Sequence, residues 1–224
     1  LTLSLPEKNK EGGSDSIFSI LQENNMQDLF LIENCLTGLP EALSNSESLG
    51  INLRFGLTIN ICNQGHKVVV FAKNTNGVKS LNQIYSAAFS SKDCITESKL
   101  KDLWDKENLM LCIPFYDSFI FKNTMNFENC TPELNQFDPV FFLENSNLPF
   151  DGLIREKVLK YSSSFKLKTQ EVRSIFYKEK SDVDALQTYK CICSKKFGKN
   201  TLSKPNLNHF GSDDFCFESY LQPK

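Results

Sequence analysis

The residues best equipped for chemistry in this chain are its eight cysteines: Cys35, Cys62, Cys94, Cys112, Cys130, Cys191, Cys193 and Cys216. Such thiols can close disulfides, hold a soft metal or act as nucleophiles. Compartment selects among these uses, with oxidising surroundings favouring disulfides. The count is even, the spacings are mostly long and no Cys-x-x-Cys pair occurs, so a disulfide framework is expected. Sequence alone does not choose its pairing. The rival use is zinc: Cys191, Cys193, His209 and Cys216 supply four acceptable ligands within 26 residues. Their Cys-x-Cys is tighter than the usual zinc-knuckle spacing. If zinc were bound there, chelation should unfold the C-terminal region.

Other catalytic signatures are hard to find. The chain has two histidines, His66 beside a turn and His209 in a polar loop, and each reads as an exposed imidazole. No G-x-S-x-G elbow frames a serine nucleophile, and Gly12-Gly13 is not a phosphate cradle. A Cys–His protease needs a free thiol, which a full disulfide framework removes. Asp182 and Asp184 read as solvated surface acids. We therefore expect no catalytic residue, no metal and no cofactor.

Charge is more informative. The net charge is −2, but residues 154–204 hold 13 Lys/Arg against 5 Asp/Glu, while residues 1–153 hold 11 against 19. In a strand over Ser164–Lys168, Lys166 and Lys168 would face away from Phe165 and Leu167. Lys195, Lys196 and Lys199 crowd the loop after the Cys-x-Cys. These five lysines form a candidate patch that steers toward an acidic protein or sulfated glycan. The net charge argues against a general nucleic-acid binder.

The elements that would position these groups read mainly as strands. Ile51, Leu53, Phe55, Leu57, Ile59 and Ile61 alternate with more polar residues, the period-two pattern of a half-buried strand. Asn63-Gln64-Gly65 signals a turn into a returning strand at 67–71, and Asn76-Gly77 a second turn into a strand near 81–89. Further strand candidates lie at 16–21, 28–33, 109–114, 118–122, 139–143, 172–178, 185–193 and 215–221. Thr96–Glu107 breaks the pattern: Leu100, Leu103 and Trp104 share a helical face, Thr96 can cap it, and Glu97 suits the dipole. Residues 152–160 read as a second brief helix.

The fold class expected is all-β, as two disulfide-bonded antiparallel β-sandwiches with one or two short helices. The domains expected are residues 1–92 and 93–224, divided at the polar stretch Ser90–Asp93. With 40% hydrophobic and 23% charged residues the chain is not disordered. No apolar run is long enough to cross a membrane. Leu1–Ser4 lack a signal peptide's basic start, so the chain reads as mature or trimmed. Asn129-Cys130-Thr131 fits a glycosylation acceptor.

The run Cys94, Cys112, Cys130, a long gap, then Cys191-Ile192-Cys193 resembles the six-cysteine family of malaria parasites over residues 62–216. That family pairs β-sandwich domains and carries a Cys-x-Cys near a domain's end. Its frequent Cys-Pro is replaced here by Cys112-Ile113-Pro114. The resemblance implies two alternative pairings. One is Cys62–Cys94, Cys112–Cys193 and Cys130–Cys191, leaving Cys35–Cys216. The other is Cys35–Cys62, Cys94–Cys112, Cys130–Cys193 and Cys191–Cys216, which departs further from the family's order but gives two domains of sensible size. We adopt the second.

The resemblance further implies a secreted, non-catalytic adhesion or scaffold protein, peripheral at the parasite surface. It would act in a heteromeric complex with parasite surface or secreted proteins during host-cell invasion. A host receptor or sulfated glycan is a further expected partner; nucleic acid and a transmembrane segment are not expected. The alternative is a secreted immune-evasion protein that captures a host ligand. A zinc-dependent or hydrolytic enzyme is the third reading.

Overall fold

The computed structural model describes residues 1–5, 14–62, 66–91, 93–193 and 212–222, without the side chains of Lys190, Cys191 and Cys193. The strand best marked in the sequence is present as β2 (Asn52–Ile61), which buries Phe55, Leu57, Ile59 and Ile61 along one face. It pairs in parallel with β1 (Asp28–Glu33) and antiparallel with β3 (Lys67–Ala72). Beyond β3 lie β5 (Leu109–Ile113), β6 (Val140–Leu143) and β7 (Lys168–Glu171). The sheet order is β1-β2-β3-β5-β6-β7, and the short β4 (Cys94–Ile95) pairs in parallel with β2. Following the pairings, every strand except β3 runs in one direction.

Parallel neighbours need crossovers, and helices supply them. These are α2 (Leu39–Leu49) between β1 and β2, α3 (Thr75–Ser90) between β3 and β4, α4 (Glu97–Asp102) before β5, α5 (Phe119–Met125) before β6 and α6 (Asp151–Phe165) before β7. The short α1 (Ile17–Glu23) precedes β1, while α7 (Val183–Cys193) and α8 (Phe217–Leu221) follow the sheet.

This architecture overturns the expected pair of all-β sandwiches. The seven-stranded mixed sheet curls into a half-barrel with helices as crossovers. The sheet also runs past residues 90–93, since β2 pairs with β4 and β3 with β5. Five segments read as strands are largely helical instead. At 81–89, Leu81, Ile84 and Ala88 are buried on one helical face, and that periodicity outweighs their tolerance of strand geometry. The Asn-Gly read as a hairpin turn sits in the first turn of α3, where the Asn74 side chain accepts from the Gly77 N–H at 2.9 Å. A Cβ on Gly77 would fall 2.2 Å from the Asn108 carbonyl oxygen, so any other residue would force this close crossing apart. Residues 16–21 lie largely in α1, 118–122 open α5 behind a Ser118 cap, 185–193 lie in α7 and 215–221 lie largely in α8.

The helix expected over Thr96–Glu107 is present with its cap but ends at Asp102, short of Trp104, and the one expected at 152–160 spans Asp151–Phe165. Trp104 packs edge-on against Phe137 with ring centres 5.0 Å apart, an anchor as expected. The main core includes Phe18, Phe115, Phe141 and Phe215, each fully buried. The opposite face of the sheet carries a smaller cluster of Val69, Phe71 and Cys112, flanked by Met110, Val140 and Phe142.

The disulfide framework is also corrected. Among the described residues one disulfide joins Cys62 to Cys94, with Cα atoms 5.2 Å apart. It bonds the end of β2 to β4 beside the Asn60–Cys94 register pair. This pair belongs to the first register rather than the adopted one. Cys35–Cys62 and Cys94–Cys112 are thereby excluded, and Cys35, Cys112, Cys130 and Cys216 carry thiols. The reason is geometric: β2 and β3 lie between Cys112 on β5 and Cys94 on β4, and Cys112 belongs to the cluster on the second sheet face. The pairings proposed for Cys191 and Cys193 lie outside the described side chains.

Candidate functional site

With the remaining strands codirectional, the carboxyl ends of β2, β5, β6 and β7 share an edge with the start of β3. Ligand sites of α/β sheets gather at that edge. Three arrangements lie at or beside it here.

The first is a buried carboxylate pair. Glu144, just after β6, is 4% exposed and accepts from the Ser174 N–H at 2.9 Å and the Ser174 hydroxyl at 3.1 Å. Burial pushes its carboxyl up to about 7, with the Asp151 charge adding to the rise and the Ser174 hydrogen bonds opposing it. Asp151, at the start of α6, accepts from the Tyr116 hydroxyl at 3.1 Å and from the Ser146 N–H at 2.8 Å. Burial raises the Tyr116 phenol far above its ordinary value, so it stays a donor. The group ties together the loops after β5, β6 and β7.

The second is a Cys–His pair. Cys130 Sγ lies 3.4 Å from His66 Nδ1. His66 is fully buried, not exposed as its sequence neighbourhood suggested, because it sits behind Phe119 with ring centres 5.9 Å apart. Burial and the nearby Lys122 charge lower the imidazole to about 4. Burial, with Glu97 and Glu128, raises the Cys130 thiol to about 11. A Cys–His nucleophile needs a thiolate and a basic imidazole. The thiol that the sequence reading denied is present, but near neutral pH both partners are held uncharged. The arrangement acts as packing: Asn123 grips Cys130 by donating to its carbonyl at 2.7 Å and accepting from its N–H at 2.8 Å.

The third is a groove of about 1020 Å³ between α5 and α6. Phe119, Ile120 and Cys130 line it from the α5 side. From α6 come Lys157, Lys160, Tyr161, Ser164 and Phe165; this i, i+3, i+4, i+7, i+8 spacing places them on one helical face. The Tyr161 and Phe165 rings pack tilted, with centres 4.8 Å apart. Phe165 is 51% exposed, and Phe127 is 90% exposed. Phe127 also holds a φ of 56°, a left-handed conformation that costs a bulky side chain on the order of 1–3 kcal/mol. Lys157 and Lys160 form no ion pair among the described residues.

The residues singled out from the sequence are dispersed. Lys166 caps the C-terminus of α6 in a left-handed conformation, and Lys168 opens β7, so the expected strand over 164–168 is divided between two elements. Both are exposed and follow the groove's α6 wall. Lys195, Lys196, Lys199 and His209 lie outside the described residues. Cys216 is buried at the start of α8, its sulfur accepting from the Ser219 N–H at 3.4 Å. Among the described residues no group of three or more His, Cys, Asp or Glu side chains is placed to hold a metal. Sequence reading missed Lys157 and Lys160, although their helical spacing with Tyr161 and Phe165 was the available signal.

No family model and no curated protein matches the sequence. Among solved structures, the chain is similar to a proposed metal-dependent phosphoesterase of Bifidobacterium adolescentis, at 12% identity and a TM-score of 0.41 over 69% of this chain and 79% of that one. It is also similar to PsfC of Pseudomonas syringae, at 10% identity and a TM-score of 0.36 over 69% of this chain and 64% of that one. At that distance neither likeness carries an activity to this chain.

Proposed function

We propose that this chain is a non-catalytic binding domain that docks a segment of a partner protein in the α5–α6 groove. The exposed Phe127 ring carries the reading. An apolar side chain in water forgoes its burial energy, about 1.5–3 kcal/mol, and this one also occupies a strained backbone. Both terms are offset when a partner covers the ring, as buried aromatic anchors do at interfaces. Phe165 stands on the other wall as a second anchor.

The buried groups favour binding over catalysis as well. Glu144 and Asp151 spend their oxygens on hydrogen bonds between loops, and the Cys130–His66 pair is uncharged near neutral pH. A non-catalytic binding role, expected from the sequence, is kept here as a proposal about the groove alone. The parasite-surface and immune-evasion roles rested on the sandwich resemblance and are not carried forward.

Selection of a displayed random-peptide library on the purified chain tests the proposal. Enriched peptides should lose affinity about thirtyfold or more for Phe127→Ala, a hot-spot-sized loss. Peptides that bind the variant as well as the parent chain would refute docking in the groove.

A further inference from the structure

The groove is electrically lopsided. Its α6 wall carries Lys157 and Lys160, one helical turn apart and without ion pairs among the described residues. Lys166, the left-handed C-cap of α6, lies outside the groove's lining. The wall formed by the loop after α5 carries Glu133. Between them lie the apolar surfaces of Phe119, Ile120, Tyr161 and Phe165.

A matching occupant has three properties. It presents an apolar stripe to the floor, carboxylates to the α6 wall, and no comparable run of acids to the Glu133 wall. A groove between two helices accepts a third helix with side chains interleaved along ridges. The α6 wall runs from Lys157 to Phe165, about 13 Å at the helical rise. Single-stranded nucleic acid fits less well. It would suit the aromatic rings, but phosphate would line both walls and meet Glu133 on one of them.

We infer that the groove receives an amphipathic helix from a partner protein, with apolar residues on one stripe and glutamates or aspartates along the flank facing Lys157 and Lys160. This inference rests on the binding reading above, and names the partner's chemistry.

Three synthetic peptides of about 15 residues, long enough to hold a helix in water, test it. All share one leucine–phenylalanine stripe, flanked by glutamate, glutamine or lysine. Fluorescence anisotropy is read on the parent chain, on Phe127→Ala and on Lys157→Glu/Lys160→Glu, with circular dichroism confirming that each variant is folded. The glutamate peptide should bind about tenfold tighter than the lysine peptide, a gap that narrows with salt and inverts in the charge-reversed variant. Equal affinities, or a preference for lysine flanks, with binding still lost in Phe127→Ala, would overturn the acidic-helix inference and leave the groove reading standing. Binding indifferent to Phe127→Ala, or no binding by any peptide, would overturn both. An oligothymidylate that outcompetes the glutamate peptide would reassign the groove to nucleic acid.

Discussion

Ser174 donates twice to Glu144, from its backbone N–H to Oε2 at 2.9 Å and from its hydroxyl to Oε1 at 3.1 Å. The loop leaving β7 is thereby fastened to the end of β6 through a carboxyl that is 4% exposed. Two good donors do not outweigh the desolvation of the charge, and the carboxyl titrates near 7 instead of 4.5.

A raised carboxyl pKa makes the folded state the better proton binder between these values. Its contribution is fully present below about pH 4.5 and lost as pH rises through about 7. Glu144→Gln should abolish that slope. Urea denaturation at pH 5 and pH 8 should show the variant gaining stability relative to the parent at the higher pH, by an amount on the order of 1–3 kcal/mol. An unchanged pH slope in the variant would refute the assignment.

The Cys62–Cys94 bond spans 32 residues, including the whole of α3. Cys94→Ser, or reduction, should cost about 3 kcal/mol by loosening the crossover in the unfolded chain. Thermal unfolding with and without reductant reads this directly. Peptide mapping without reduction should recover the two cysteines joined.

Alkylation should follow burial. Cys35 is partly exposed, whereas Cys112, Cys130 and Cys216 are buried. Burial raises the Cys112 thiol to about 12 and Cys130 to about 11. Iodoacetamide at pH 7.5 should therefore modify Cys35 first among these four, and the other three only on unfolding. Rapid native labelling of Cys130 would contradict the uncharged His66 pair and revive a nucleophilic role.

Gly77 and Gly50 should respond differently to alanine. At Gly77 the new methyl would meet the Asn108 carbonyl at 2.2 Å, so α3 must shift. A loss of about 2–3 kcal/mol is expected there. Gly50 has φ of 66° with nothing within 4 Å of a new Cβ, so only the left-handed backbone is strained, at about 1 kcal/mol. Equal losses in denaturant titrations would refute the steric account at Gly77.

What the sequence made legible was local. The alternation over β2, the run of β3, the Thr96 cap and the helix at 152–160 could be read from neighbouring residues. Asn76-Gly77 misled because the same small, turn-forming residues also open a helix when an asparagine cap precedes them. Short apolar runs such as Phe119-Ile120-Phe121 fit either a strand or a buried helical turn, and only packing decides. The groove was less accessible still, because its walls come from segments about thirty residues apart and exist only once β5, β6 and β7 align. Cysteine order was weighted too heavily: it suggested a framework, while the fold places Cys112 and Cys94 on different parts of the sheet.

The two ends of the sheet differ in how well they resist self-association at high concentration. Every residue of β7 is exposed, and the strand is guarded by Lys168 and by Glu171, which pairs with Arg155. Such an edge is a poor template for a foreign strand. At the other end β1 exposes Phe30 and Ile32, and its flanking charges are Asp28 and Glu33. Burial raises the Glu33 carboxyl, so that guard is neutralised early as pH falls. Mild acid should therefore cloud concentrated solutions by strand addition at β1, and a lysine in place of Phe30 should keep them clear.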